Sequence, residues 1–217
     1  LQPRCSLIHA QIMSNIKSIR QIGLTGGIGS GKSTVGQILA QERGFALIDA
    51  DEISRTLTAP GGAAIQAIKA HFGDHFIDQN NALNRPKMRE LVFHDLDAKQ
   101  MLEAILHPKI SEGIDQELSK ARSLGFDTAV LDIPLLAESA KSWLPRLTGV
   151  LVIDCSPQTQ VMRVMQRSGL SQESALSIIA SQASRESRRA IANWIILNDA
   201  LTIEQLRQEV LSLNFKI

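Results

Sequence analysis

Between Gly26 and Ser33 the chain reads Gly-Gly-Ile-Gly-Ser-Gly-Lys-Ser, which satisfies the pattern G-x-x-x-x-G-K-[ST]. Closely spaced glycines let successive main-chain N–H groups turn toward one centre, where a Cβ would obstruct the turn. A helix starting at the same point adds about half a positive charge. Lys32 brings a full charge toward the β and γ phosphates, and the Ser33 hydroxyl is placed to ligate Mg²⁺. Gly26, Gly27, Ile28, Gly29, Ser30, Gly31, Lys32, Ser33 and Thr34 are therefore expected to hold a nucleoside triphosphate.

Phosphoryl transfer to an alcohol also needs a carboxylate beside the γ-phosphate. Asp49-Ala50-Asp51 offers two, of which one is expected to face a substrate. Asp51 is favoured, and a helix N-cap is the alternative use of this pair. Asp132, at the end of an apolar run, is expected to sit beside Mg²⁺, with a simple cap as the alternative. Arg163 and Arg167 are four apart and share a helix face, while Arg185, Arg188 and Arg189 cluster further on. An arginine-bearing flap closing over the phosphates would exclude water and stabilise developing charge, with Arg167 as its leading residue. The alternative for these arginines is a solvated helix face. His71 and His75 read as a surface pair, His107 before Pro108 as a helix boundary, and Trp143 and Trp194 as packing residues.

These groups need a frame. Continuous apolar runs at Ile19 to Thr25, Phe45 to Ile48, Ala129 to Leu131, Gly149 to Ile153 and Trp194 to Leu197 suit strands covered on both faces. Asp49, Asp132, Asp154 and Asn198 follow those runs, where an open α/β sheet binds ligands. A helix is expected from about Lys32 to Glu42, another after the Ser156-Pro157 cap, and a third after a Thr202/Gln205 capping box. About eighty residues between the second and third runs lack a convincing strand and read as a helical insert.

The expected fold is α/β: a P-loop core with a five-stranded parallel sheet, a helical insert and a small arginine-bearing flap. Residues 19–60, 121–160 and 190–217 make the core, 61–120 the insert and 161–189 the flap. Residues 1–18 read as an N-terminal extension, with Met13 as the natural start.

The chain has 217 residues, 44% apolar and 21% charged, which fits one globular domain with an insert and argues against global disorder. A net charge of +1 gives no electrostatic basis for nucleic-acid or membrane-surface binding, and no apolar run approaches the ~20 residues of a span. Cys5 and Cys155 have no metal-ligand spacing, so a reducing, cytoplasmic setting is expected. No Asn-Lys-x-Asp guanine reader occurs, which favours a small-molecule kinase over a GTPase. From the loop alone, another nucleoside or nucleotide kinase or a non-catalytic nucleotide sensor stays open.

The segment from Gly23 to Val35 followed by Asp49-Ala50-Asp51 resembles the dephospho-coenzyme A kinase family. Asn84-Arg85, Leu106-His107-Pro108, Asp132-Ile133-Pro134-Leu135-Leu136, Gln166-Arg167 and Gln182-Ala183 extend the match. The resemblance implies ATP-dependent phosphorylation of the ribose 3′-hydroxyl of dephospho-coenzyme A, the last step of coenzyme A synthesis, on a P-loop kinase core with a helical substrate-binding insert and a lid. It places Asp51 at the catalytic base and Arg167 at a lid arginine near ATP. Ala137 and Asn193 depart from it, standing where the family often has Phe and Asp. The sequence sets no oligomeric state.

Overall fold

The computed structural model describes residues 18–216, so the expected start at Met13 lies outside the described residues. The apolar runs become five parallel strands: β1 (Arg20–Gly26), β2 (Ala46–Asp49), β3 (Thr128–Asp132), β4 (Gly149–Asp154) and β5 (Trp194–Leu197). Their order across the sheet is β2-β3-β1-β4-β5. Leu24 pairs with Asp132 on one side of β1, and Gly26 with Ile153 on the other. The strand that feeds the glycine loop is therefore central, and every strand delivers its C-terminal residue to the same edge.

All residues of β3 and β4 are buried, as expected for strands covered twice. Side-chain alternation divides them between two cores. Leu131, Val150 and Val152 join one cluster, and Val130, Leu151 and Ile153 join the other.

The helices are α1 (Lys32–Arg43), α2 (Ala50–Leu57), α3 (Ile65–Phe72), α4 (Arg85–His94) and α5 (Leu96–Ser123). They continue with α6 (Ala140–Trp143), α7 (Pro157–Ser168), α8 (Gln172–Ala180), α9 (Arg185–Ala190) and α10 (Ile203–Ser212). α1 and α10 cover one face of the sheet through Val35, Leu39, Leu206 and Val210. Ala50 of α2, with Ile114 and Leu118 of α5, covers the other. The expected capping box forms at Thr202 and Gln205, and Ser156 caps α7 ahead of Pro157.

A third apolar cluster lies outside the sheet layers and unites Ile65, Ile68, Phe76, Leu83 and Met88. Its helices reach the core chiefly through the 28-residue α5. The boundary expected at His107-Pro108 is not there: α5 runs through Pro108 without ending. A proline in a helix interior loses one hydrogen bond and costs about 3 kcal/mol. The helix persists because Asp95 caps its start by accepting from Ala98 N–H at 2.9 Å, and Ile114, Leu118 and Ala121 anchor its second half on the sheet. Further along α5, Gly113 faces Ile53 of α2, and a Cβ there would lie 2.7 Å from the Ile53 side chain.

Candidate active site

The loop between β1 and α1 is held from outside by its carbonyls. Gln160 Nε2 donates to Ile28 O at 2.8 Å, Arg163 to Gly29 O at 3.1 Å, and Asn198 Nδ2 to Ser30 O at 2.7 Å. In a trans peptide the C=O and the following N–H point in opposite directions. Carbonyls tied outward at Ile28 and Ser30 therefore turn the Gly29 and Gly31 N–H groups inward. The first-turn N–H groups of α1, from Lys32, Ser33 and Thr34, extend this concave donor surface. Gly31 is required: its φ is 95°, and a Cβ would come within 2.5 Å of Asn198 Nδ2. The Ile28 N–H is engaged differently, donating to Gln182 Oε1 at 2.9 Å.

Lys32 forms an ion pair with Asp132, the last residue of β3. Burial pushes the Asp132 carboxyl above its ordinary pKa, the Lys32 ammonium opposes this, and the charges of Asp49 and Asp51 add to the rise. Asp132, expected beside Mg²⁺, is here the partner of the loop lysine.

The two candidate acids divide their roles. Asp49 caps α2, accepting from Asp51 N–H at 2.8 Å and Glu52 N–H at 3.1 Å. Asp51 follows on the first turn of α2 with its side chain exposed. It faces two cavities. One, of about 650 Å³, is lined by the whole glycine loop and by Pro134, Arg163, Gln166 and Arg167. The other, of about 200 Å³, is lined by Pro134 again and by His107, Ser111, Leu135, Trp143 and Arg146.

The second cavity was only partly legible. Trp143, expected to pack, does pack against the sheet cluster but also walls this cavity. The Arg146 guanidinium lies 5.3 Å from the Trp143 ring centre and is paired with Asp115. His107, set aside in the sequence, also lines it. Trp194 is a packing residue, 5.0 Å from the Phe215 ring in an edge contact.

The arginines separate just as sharply. Arg167 is exposed and lines the loop cavity, whereas Arg163 is bound to loop carbonyls. Arg185 and Arg189 both engage Asp154 at the end of β4, at 2.8 and 3.2 Å. Arg188 is buried and donates to Ala183 O. The cluster at 185–189 thus fastens α9 to the sheet. Gln160, Gln182 and Asn198 were not singled out as loop holders, because an amide side chain carries no charge or spacing signature. Asn193 accepts from Val150 N–H and its own N–H donates to Val150 O, both at 2.9 Å. A carboxylate could accept the same bond, so this departure preserves the contact. Cys155 is buried, which pushes its thiol up to about 11, and it faces neither cavity.

A central strand leading into a glycine-rich cup, a parallel sheet in this order and an acid at the rim together define the P-loop kinase fold. The crystal structure of TT1252 from Thermus thermophilus superposes with a TM-score of 0.75 at 33% identity, covering 90% of this chain and 98% of that one. The chain belongs to the dephospho-CoA kinase family, whose model matches residues 20–204. The dephospho-CoA kinase of Albidiferax ferrireducens is 47% identical over 195 residues, covering 90% of this chain and 91% of the relative. The structure of dephospho-CoA kinase from Campylobacter jejuni aligns at a TM-score of 0.58 and 27% identity, over 89% and 95% of the two chains.

Proposed function

We propose that this chain transfers the γ-phosphoryl group of ATP to the ribose 3′-hydroxyl of dephospho-coenzyme A, giving coenzyme A and ADP. The observation that carries this reading is that Asp51 and Pro134 line both cavities. A triphosphate seated in the larger cavity would present its terminal phosphorus to the rim where an alcohol held in the smaller one enters. The family supplies the identity of that alcohol.

In this mechanism the inward N–H groups of the loop and α1 cradle the phosphates. Asp51 accepts the hydrogen bond of the acceptor hydroxyl and aims its oxygen for in-line attack. Lys32 leaves Asp132 for the transferred group, and Arg167 shares the charge that accumulates there. The residues present fit a bound Mg²⁺. The exposed Ser33 hydroxyl stands at the mouth of the cup, and Mg²⁺ is usually held by one or two protein oxygens plus phosphates and waters. When bound it would neutralise phosphate charge, with Ser33 holding it and Asp132 close behind.

Residues 61–120 act as the substrate-binding insert and 161–189 as the lid in this reading; the separate cluster around Ile68 and the arginine face of α7 support that division. Among the described residues no helix is long and apolar enough to cross a membrane. We assign the reaction to the cytoplasm, the reducing setting that two widely separated cysteines suit. The test is ADP release from ATP with dephospho-coenzyme A, against nucleoside monophosphates and no acceptor, with the product confirmed as 3′-phosphorylated. Turnover on a nucleoside monophosphate instead would indicate another nucleotide kinase, and none with any acceptor a nucleotide sensor.

A further inference from the structure

The phosphate loop is gripped on both sides of one residue. The Ile28 N–H donates to Gln182 Oε1, and the Ile28 carbonyl accepts from Gln160 Nε2. Two consecutive peptide planes are thereby fixed: the one before Ile28, whose Gly27 oxygen accepts from Ser30 N–H, and the one after it, which carries the Gly29 N–H. Gln160 is buried in α7, 2% exposed. Gln182 lies in the turn between α8 and α9 and lines the loop cavity.

The surroundings of Gln182 matter as much as its hydrogen bond. Immediately after it the chain is bolted down. Ala183 N–H donates to Glu138 at 2.7 Å, Arg188 donates to Ala183 O, and Arg185 grips Asp154 at 2.8 Å. Before it, α8 is joined to α7 through Gly169, in the left-handed region at φ 63°, and its exposed turns carry no ion pair among the described residues. Gln182 is the point where α8 meets the fixed strap, and its side chain is the link from that point to the loop.

We propose that Gln182 is a positioning residue for nucleotide binding. It acts through the main chain of Ile28, setting the loop's donor surface according to where the α8–α9 turn lies. Gln160 is the fixed half of the same grip. This rests on the triphosphate reading of the cup and adds that the α8–α9 turn is coupled to the loop through the Gln182 carboxamide, beside the grip of Arg163 from α7.

The experiment uses the full chain with ATP binding and turnover measured separately. Gln182→Met keeps the length of the side chain and removes the acceptor. Losing one such hydrogen bond should raise the KM and Kd for ATP about threefold to tenfold, with kcat and the KM for dephospho-coenzyme A changed by less than about twofold. Amide hydrogen exchange at Ile28 should accelerate in the variant without nucleotide, and the selective rise in the ATP constants is the readout that a merely structural role for Gln182 would not produce. Gln160→Met serves as the second probe, and the double variant should lose less ATP affinity than the two single losses combined. A Gln182→Met protein with wild-type ATP affinity and loop exchange overturns the inference while leaving the kinase reading intact. A wild-type protein that binds no ATP overturns both. Equal weakening of ATP and acceptor would mean general destabilisation, and would also defeat it.

Discussion

The two sides of the cleft are built by opposite strategies. In the proposed reading the triphosphate side is built chiefly from one continuous stretch of chain, residues 26–34, whose backbone would do the binding and whose carbonyls are tied outward by Gln160, Arg163 and Asn198. The acceptor side has no such stretch. Asp51, His107, Ser111, Leu135, Trp143 and Arg146 come from three helices and two connecting segments, and converge only when α5 lies along α2. A backbone cup recognises what every nucleoside triphosphate shares. A wall of side chains from scattered elements is where a kinase can choose its alcohol.

Mutations should respect this division. Asp51→Asn, at the shared rim, should lower turnover by about 10²- to 10⁴-fold while leaving ATP affinity near wild type, checked by steady-state kinetics beside a direct nucleotide titration. Near-normal turnover in that variant would remove Asp51 from the catalytic role. Lys32→Ala should reduce kcat/KM for ATP by about 10²- to 10³-fold and weaken nucleotide binding with it, because its charge serves the phosphates and no part of the acceptor wall. Trp143→Ala should raise the acceptor KM by about tenfold, the usual scale of an aromatic contact with a base, with the ATP KM unmoved. If both KM values rose together, the two sides would not be separable as described.

Smaller effects concern the scaffold behind the loop. Asp154→Ala should cost about 2 kcal/mol in denaturant unfolding, since it removes charge-assisted bonds to Arg185 and Arg189, which are themselves a third to a half exposed. Asp199 accepts the Ser156 N–H, and that bond holds its carboxyl below the ordinary 3.8. Its contribution to stability is therefore present above that value and lost as pH falls through the lowered one. Asp199→Asn should therefore lower stability modestly at neutral pH and converge on wild type in acid, flattening the acid limb, as read from unfolding at neutral and acid pH.

The same contrast explains what the sequence made legible. All five strands were visible because a doubly covered strand is a continuous apolar run, and the glycine loop because its chemistry is local. Asp51 could be favoured over Asp49 in the sequence, but which of the two caps a helix emerged only when α2 began at Ala50 and placed Asp49 at its cap. His107 was hidden by its neighbour, because Pro108 signals an end to a helix that tertiary anchoring carries onward. Trp143 and Arg146 have no meaning as a pair until their geometry is known. The arginine cluster at 185–189 was ambiguous in the other direction: a charged flap and an anchor to a buried acid look alike in sequence, and only the position of Asp154 distinguishes them.

Gly113 lines neither cavity, yet it fixes how near the long α5 can lie to the helix that bears Asp51. Any larger residue there would act as a wedge, tilting the short helix about its end and swinging the acid off its line of fire. Aim in the proposed reaction is thus set partly by an atom that is missing, less than about two turns of α5 beyond His107, and tolerance to change there should be as low as at the rim itself.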